Sequence, residues 1–391
     1  MDLAIYFEPV EYKFKKTIDD GAPLKLGDII KSFIDKDKFP DIENVRIAIL
    51  GVKEERNGAE NEGCLDAPDV IRRFFYELYP GNYDIKIADL GNIIGGHTPK
   101  DTYFALANVV AELIKNKIVP VILGGTQDLT YANYRAYEQL GQIINIVAVD
   151  AGFDIGYKND GIASKNYLNS IIMHQPSYLF NYANLGYQSY LVDNQAVELM
   201  GNLLFDVYRL GKVRENIEEV EPIVRNADML SFDITAVRMS DAPGNKYALP
   251  NGFYGEEACQ IARYAGISDK LTSIGFYEYN PTYDKNYQTA SLISQIIWYF
   301  IDGFYNRKND YPHLGKEDYL KYRVNLKDMK EEIIFYKSKK SDRWWMEVPC
   351  PVEVSNKYQR HYLVPCTYND YKMALADDVP DRWWQVYQKL M

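Results

Sequence analysis

From Asn44 to about Arg307, apolar runs of strand length alternate with apolar–polar periodicities of helical length. Val45–Val52 (VRIAILGV) is β-branched and apolar almost throughout, as a strand buried on both faces is. Ala67–Tyr76 (APDVIRRFFY) has Pro near its start and apolar residues at helical spacing, which predicts a helix. Tyr83–Leu90 predicts a second strand, Thr102–Lys115 an amphipathic helix, and Ile118–Leu123 and Ile144–Val149 two further strands. Leu185–Leu191 predicts a fifth strand and Met229–Phe232 a sixth, the latter after an acidic helical stretch, Val213–Val224. Gly255–Ala265 then reads as a helix, Leu271–Tyr277 as a strand and Thr289–Phe304 as a long helix. Such alternation predicts a parallel sheet with helices on both faces. Ligands of these sheets bind at the carboxyl ends of the strands. Small and acidic residues stand there: Gly124 and Gly125, Asp150, Asp233 and Glu278.

The ends of the chain differ from this frame. Residues 1–43 show no alternation and predict an N-terminal arm; residues 44–308 form the α/β domain; residues 309–391 form an extension rich in Trp and Tyr. In the extension DRWW occurs at Asp342–Trp345 and Asp381–Trp384, and VPC at Val348–Cys350 and Val364–Cys366. The spacings differ, so this is no tandem repeat. The Trp pairs read as a cover over an edge of the main domain, with a docking surface as the alternative.

Charge and cysteine content narrow the class. A net charge of −11 argues against nucleic acid as a partner, since that needs a clustered basic face. The basic run Lys337–Lys340 reads as a solvated loop. Cys64, Cys259, Cys350 and Cys366 have no paired spacing, which predicts reduced thiols in a cytoplasmic protein. The start, MDLAIYFEPVEYKF, lacks a basic region before an apolar core and is not a signal peptide. The most apolar long stretch, Ala290–Phe304, is interrupted by Ser, Gln, Asp and Gly, so a membrane partner is not expected.

The strand-end motifs occur in a recognisable order. Gly63–Arg72 (GCLDAPDVIR) opens the first helix; Leu123–Thr130 reads LGGTQDLT; Asp150–Asp154 reads DAGFD; Ser231–Asp233 reads SFD. Asp241–Gly244 (DAPG), Asn251–Ala258 (NGFYGEEA) and Tyr277–Ala290 (YEYNPTYDKNYQTA) follow. The order and spacing resemble those of the arginase, agmatinase and formiminoglutamase family (the ureohydrolases). The APG and EYNP segments favour the formiminoglutamase branch. The resemblance implies a three-layer α/β/α sandwich with a mainly parallel sheet, and homo-oligomers.

It also implies a site, and one that has changed. The family binds two manganese ions through carboxylates and imidazoles, and the pair generates hydroxide. Here Asp150, Asp154 and Asp233 stand at metal-ligand positions. Gln127 and Gly152 stand where the family has histidine; Thr126 and Thr235 stand where it has aspartate. Glu278 matches the acid that holds the substrate's amidinium, and Asn280 beside it is expected to bind substrate as well. Three carboxylates suffice for one divalent cation, Mn²⁺ or Mg²⁺, but not for two; the alternative is no metal.

The expected function is therefore that of a formiminoglutamase-like protein that has lost the dimanganese site. It would be non-catalytic, or bind a small molecule in the strand-end cleft. The alternative is a divergent hydrolase of a C–N bond in an amidine-type substrate, formiminoglutamate or a guanidino compound, with Asp154 and Glu278 as catalytic acids. Converging carboxylates without metal repel one another, so a compensating cation is expected. Arg238, five residues after Asp233, is a candidate for it, the opposite reading being that it points to solvent. His97, His174, His313 and His361 are too scattered to rebuild a metal site and read as ordinary histidines.

Overall fold

The strand Ile47–Val52 shows how the sequence builds the molecule. Ile47 and Ile49 point into one layer of core and Ala48, Leu50 and Val52 into another, because successive side chains of a strand face opposite ways. With helices on both faces, every position of the strand is buried. The structure, a computed structural model, describes residues 2–391 apart from 12–13, 15–21, 59, 85, 157–160, 313–315, 328–331 and 352–355. His313 lies outside the described residues.

The main sheet has ten strands. In chain order they are β1 (Phe7–Glu8), β2 (Lys31–Ser32), β3 (Ile47–Val52), β4 (Ile87–Ile93), β5 (Val119–Leu123), β6 (Ile144–Val149), β7 (Leu179–Tyr187), β8 (Asp206–Arg209), β9 (Met229–Asp233) and β10 (Ser273–Tyr277). Their spatial order is β1-β4-β3-β5-β10-β9-β6-β7-β8, with β2 also on β4. All pairings are parallel except that of β1 with β4. The first 43 residues thus supply two short strands to one edge.

Helices Ala67–Phe75, Gly255–Ile267 and Gln288–Tyr305 cover one face of the sheet. Helices Pro99–Lys115 and Leu129–Gln139 cover the other. The result is the three-layer α/β/α sandwich that the resemblance implied. Fully buried side chains such as Ile296, Phe300 and Leu106 each contribute roughly 1.5–3 kcal/mol by leaving water. Among the described residues no helix is long and apolar enough to cross a membrane, and Ala290–Phe304 lies within a buried helix.

Several expected elements differ in extent. β7 begins at Leu179 rather than Leu185, because Asn181 and Asn184 interrupt an apolar run that the backbone nevertheless continues. Beyond Tyr187 the chain turns, and the Gln188 amide donates to Ala151 O. β4 spans Ile87–Ile93 rather than Tyr83–Leu90, and Tyr83 instead stacks on Tyr305 at 4.5 Å. The acidic stretch Val213–Val224 is two short helices, Leu210–Glu215 and Val220–Arg225, broken where Asn216 leaves helical geometry (φ −147°, ψ 83°).

The C-terminal extension has its own antiparallel sheet: β11 (Tyr319–Asn325), β12 (Glu332–Ser338), β13 (Trp344–Glu347) and β14 (Leu363–Cys366), in that order. Helices Tyr368–Leu375 and Asp381–Leu390 complete it. Trp344, Trp345 and Trp383 are buried, and only Trp384 of the two pairs is exposed. Arg225 of the main domain lies over the Trp345 ring at 4.3 Å and donates to the Trp344 and Cys366 carbonyls. Three of these tryptophans therefore cover the sandwich and its own sheet rather than offer a surface. Lys337 and Lys340 of the basic run pair with Asp342 and Asp318 at 2.7 Å each. All four cysteines are free.

Candidate functional site

Four neighbouring strands bring the expected acids together. β5, β10, β9 and β6 are adjacent, with Leu123 opposite Phe276, Tyr277 opposite Asp233, and Val149 opposite Phe232. The residues that follow or end these strands, Gly124–Gln127, Glu278, Asp233 and Asp150, therefore meet at one rim. Gly125 is required there: a Cβ would lie 1.8 Å from Glu54 O. This close passage lets Gly125 O accept from the Glu278 amide at 2.9 Å and lets the Gln127 amide donate to Glu278 Oε1 at 2.9 Å.

Asp150, Asp154 and Asp233 are buried and form the centre, each with a carboxylate oxygen within 4.8 Å of the others. Asp150 Oδ1 accepts from the Gly152 amide at 2.9 Å and its Oδ2 from Gln127 Nε2 at 3.1 Å. Asp233 Oδ1 accepts from the Thr235 amide at 2.7 Å. Among the described residues, Asp154 Oδ2, Asp233 Oδ2 and Gln127 Oε1 are buried without a hydrogen-bond partner. Asp154 (φ 49°) and Glu278 (φ 66°) both sit in the left-handed region, a strained backbone state for residues with a Cβ.

The cation facing this cluster is Lys165, not Arg238. Lys165 Nζ lies 3.5 Å from Asp154 Oδ1 and 3.7 Å from Asp233 Oδ2. Although 42% of its side chain is exposed, the ammonium end faces the buried acids. Arg238 pairs instead with Asp241 at 2.9 Å, three residues along, and lies over the Tyr254 ring at 3.9 Å. It is held there because its guanidinium finds a nearer carboxylate and an aromatic face outside the cluster. The sequence offers no local signal for Lys165, which lies in an irregular loop before the short helix Tyr167–Ile172.

Burial governs the protonation of the acids. It pushes the Asp154 carboxyl up to about 6, with the Asp233 charge adding to the effect and Lys165 opposing it. Burial also raises Asp233, where the Asp150 charge adds, and Asp150, where the Asp154 charge adds. Burial raises Glu278 to about 7, against the Lys165 charge and its hydrogen bonds from Gln127 and Asn61. For Lys165 burial alone would favour the neutral form, but the four acids together outweigh it and hold the ammonium charged.

Glu278 and Asn280 are anchored within the fold. Asn61 Nδ2 donates to Glu278 Oε2 at 2.8 Å and to its carbonyl at 3.1 Å. Asn280 Nδ2 donates to Glu62 O at 2.7 Å and Asn61 Oδ1 at 3.1 Å, while its Oδ1 accepts from the Thr282 amide at 3.0 Å. Both ends of the Asn280 amide are thus engaged in tying two loops together. Asn61 was not expected from the sequence. Its place in the loop after β3 gave no sign of the contact.

A cavity of about 250 Å³ opens beside the acids, lined by Gly152, Phe153, Asp154, Lys165, Leu191 and Ala196 among others. None of the three described histidines joins the cluster. His97 is exposed, His174 lies 3.3 Å from Glu138, and His361 is buried with Nε2 3.2 Å from Ile143 O.

A family model described as the Arginase family matches residues 45–302. The chain belongs to the arginase family. It is 27% identical over 265 residues to a formimidoylglutamase of Staphylococcus aureus, covering 65% of this chain and 85% of that protein. Its fold is that of Trypanosoma cruzi formiminoglutamase solved with Mn²⁺ (TM-score 0.67, 18% identity, 73% of this chain and 100% of that one). Formimidoylglutamase of Bacillus subtilis is similarly close (TM-score 0.66, 19% identity, 79% and 99%). The agmatine ureohydrolase of Thermoplasma volcanium shares the fold at a TM-score of 0.59 (19% identity, 72% and 94%).

The family's two-metal centre does not fit these residues. Gln127 turns an amide nitrogen, a donor, toward Asp150. Gly152 offers no side chain, and a Cβ there would meet only Asp150 Oδ1, at 4.0 Å. A Cβ therefore has room at Gly152, where the family has an imidazole. Among the described residues, the only group of three or more acidic, His or Cys side chains close enough to share a metal is Asp150, Asp154 and Asp233. By number and hardness that donor set suits one divalent cation at most.

Proposed function

We propose that this chain is a formiminoglutamase-like member of the arginase family whose strand-end cleft binds a small molecule without the two-metal chemistry of the family. The observation that carries this reading is the replacement of both imidazole positions by Gln127 and Gly152, with the Lys165 ammonium facing the remaining carboxylates. Buried acids are costly and apolar residues would pack more cheaply, so their presence favours a retained ligand site. Glu278, held by Asn61 and the Gln127 amide, matches the family's amidinium-binding acid and is the group assigned to a cationic amidine end.

The test has two parts. Elemental mass spectrometry after incubation with Mn²⁺ or Mg²⁺ reads the metal content, and calorimetric titration with N-formimino-L-glutamate and with agmatine reads binding. One ion or none per chain, with saturable binding that Glu278→Gln weakens, is the expected result. Two Mn²⁺ per chain, or no binding of either compound, overturns the proposal.

A second reading is a divergent hydrolase of an amidine C–N bond that employs one divalent cation. It is favoured by the unpartnered, buried Oδ2 atoms of Asp154 and Asp233. Formamide and glutamate, or N-formylglutamate and ammonia, released from N-formimino-L-glutamate in the presence of one bound ion, and lost in Asp233→Asn, would support it. Neither pair of products above the rate without protein would exclude it.

A further inference from the structure

Buried carboxylates in one cluster demand a positive charge. In this chain Lys165 already faces them, with Nζ 3.5 Å from Asp154 Oδ1 and 3.7 Å from Asp233 Oδ2. Both contacts fall on carboxylates that the resemblance places among metal ligands. Among the described residues, Asp233 Oδ2 has no hydrogen bond, nor does Asp154 Oδ2, so none of their neutral donors balances these oxygens. Arg238, the other cation near in sequence, is engaged by Asp241.

We propose that Lys165 is a tethered cation that takes over the charge-balancing role of a metal, so that its ammonium and a divalent cation occupy the acid cluster in competition. A divalent ion beside the ammonium would place like charges within a few ångströms, among buried carboxylates where screening is weak. Entry of the ion therefore requires the lysine to swing out along its four-carbon stem. The exposed part of its side chain and the adjoining cavity leave room for that movement. The chain thereby carries its own substitute for the lost ligand set. The proposal rests on the same three carboxylates as the cleft reading above, but not on any bound small molecule.

The full chain and its Lys165→Met variant, which keeps length and removes charge, are titrated with Mn²⁺, and bound ion is read by electron paramagnetic resonance. At least tenfold tighter binding of one Mn²⁺ by the variant, abolished by adding Asp233→Asn, is expected. Equal or weaker binding than in the unaltered chain overturns the proposal. A measurement on the unaltered protein guards against a variant that fails to fold. Its lysines are acetylated with an amine-directed reagent and the rates read by peptide mass spectrometry. Lys165 is expected to react at least tenfold more slowly than the exposed Lys100 and Lys308; an equal rate overturns the proposal. Two Mn²⁺ in the unaltered chain would sink the cleft reading as well. One Mn²⁺ bound as tightly there as in Lys165→Met would sink this proposal alone.

Discussion

Lys165 Nζ lies 3.7 Å from Asp233 Oδ2, an oxygen with no hydrogen bond among the described residues. Among the described residues, one ammonium thus faces a carboxylate set that also includes Asp150 and Asp154, with Glu278 close enough to feel its charge. The acids outnumber the cation, so removing one should relieve repulsion and stabilise the fold.

Asp154→Asn tests this. The folded-state carboxyl is raised to about 6, above its unfolded value near 4. A raised carboxyl adds stability below the unfolded value and loses it as pH climbs through the folded one. At neutral pH Asp154 therefore costs the fold about 1–3 kcal/mol. The variant should unfold at higher urea than the unaltered chain at pH 7.5, with the gain shrinking toward pH 4.5. A variant less stable at pH 7.5 would refute the charge argument.

His361 should act with the opposite sign. It is buried, stacks on Phe180 at 4.2 Å, and has its ring held down to about 3, by burial first and then by the Lys270 and Arg360 charges, against Asp228. Below its unfolded value near 6.5, the unfolded chain takes up a proton that the folded chain refuses, so stability falls as pH falls through that window. The slope is about 1.4 kcal/mol per pH unit. Between pH 7 and pH 5 the unaltered chain should lose about 2 kcal/mol more than His361→Gln, read from urea midpoints. Equal losses would mean that the ring is protonated in the fold.

Asn61 holds Glu278 through Oε2 and its carbonyl and also meets Asn280. Asn61→Ala leaves a buried carboxylate short of a donor and should cost about 2–3 kcal/mol. In a Glu278→Gln background the loss should shrink by at least about 0.5 kcal/mol, because the charge that Asn61 solvates is gone. Additive losses in the double-mutant cycle would show that Asn61 serves the loops alone.

The rim was legible because it depends on strand ends, and apolar β-branched runs mark those well. β6 matches its expected span, and Asp150, Asp233 and Glu278 fall where the strands stop. Helix Leu129–Gln139 escaped because its tyrosines, Asn133 and Arg135 blur the apolar stripe, although Leu129, Ala132 and Ala136 keep helical spacing. β1 and β2 are two residues each, too short for any periodicity. The need for a cation could be argued from charge. Its identity could not, because Lys165 reaches the acids from a loop whose path only tertiary packing fixes, while Arg238 finds Asp241 nearer at hand.

The clearest test of the altered site is to rebuild it. Gly152 has no positive φ, and a Cβ there meets nothing closer than Asp150 Oδ1 at 4.0 Å, so a Cβ can be added without backbone strain. Gln127 lies on the other side of Asp150, whose Oδ2 it contacts at 3.1 Å. Imidazoles at both positions would add neutral nitrogen donors to the three carboxylates, a mixed set suited to Mn²⁺. Gly152→His alone should change stability by no more than about 1 kcal/mol. Gln127→His with Gly152→His should raise the Mn²⁺ content above that of the unaltered chain, toward two ions, by elemental mass spectrometry. Adding Lys165→Met should tighten binding further, by removing the competing charge. A double variant that folds yet binds no more Mn²⁺ than the unaltered chain would show that more than the missing imidazoles, such as Thr126 and Thr235 at the remaining aspartate positions, closes this site to the second ion.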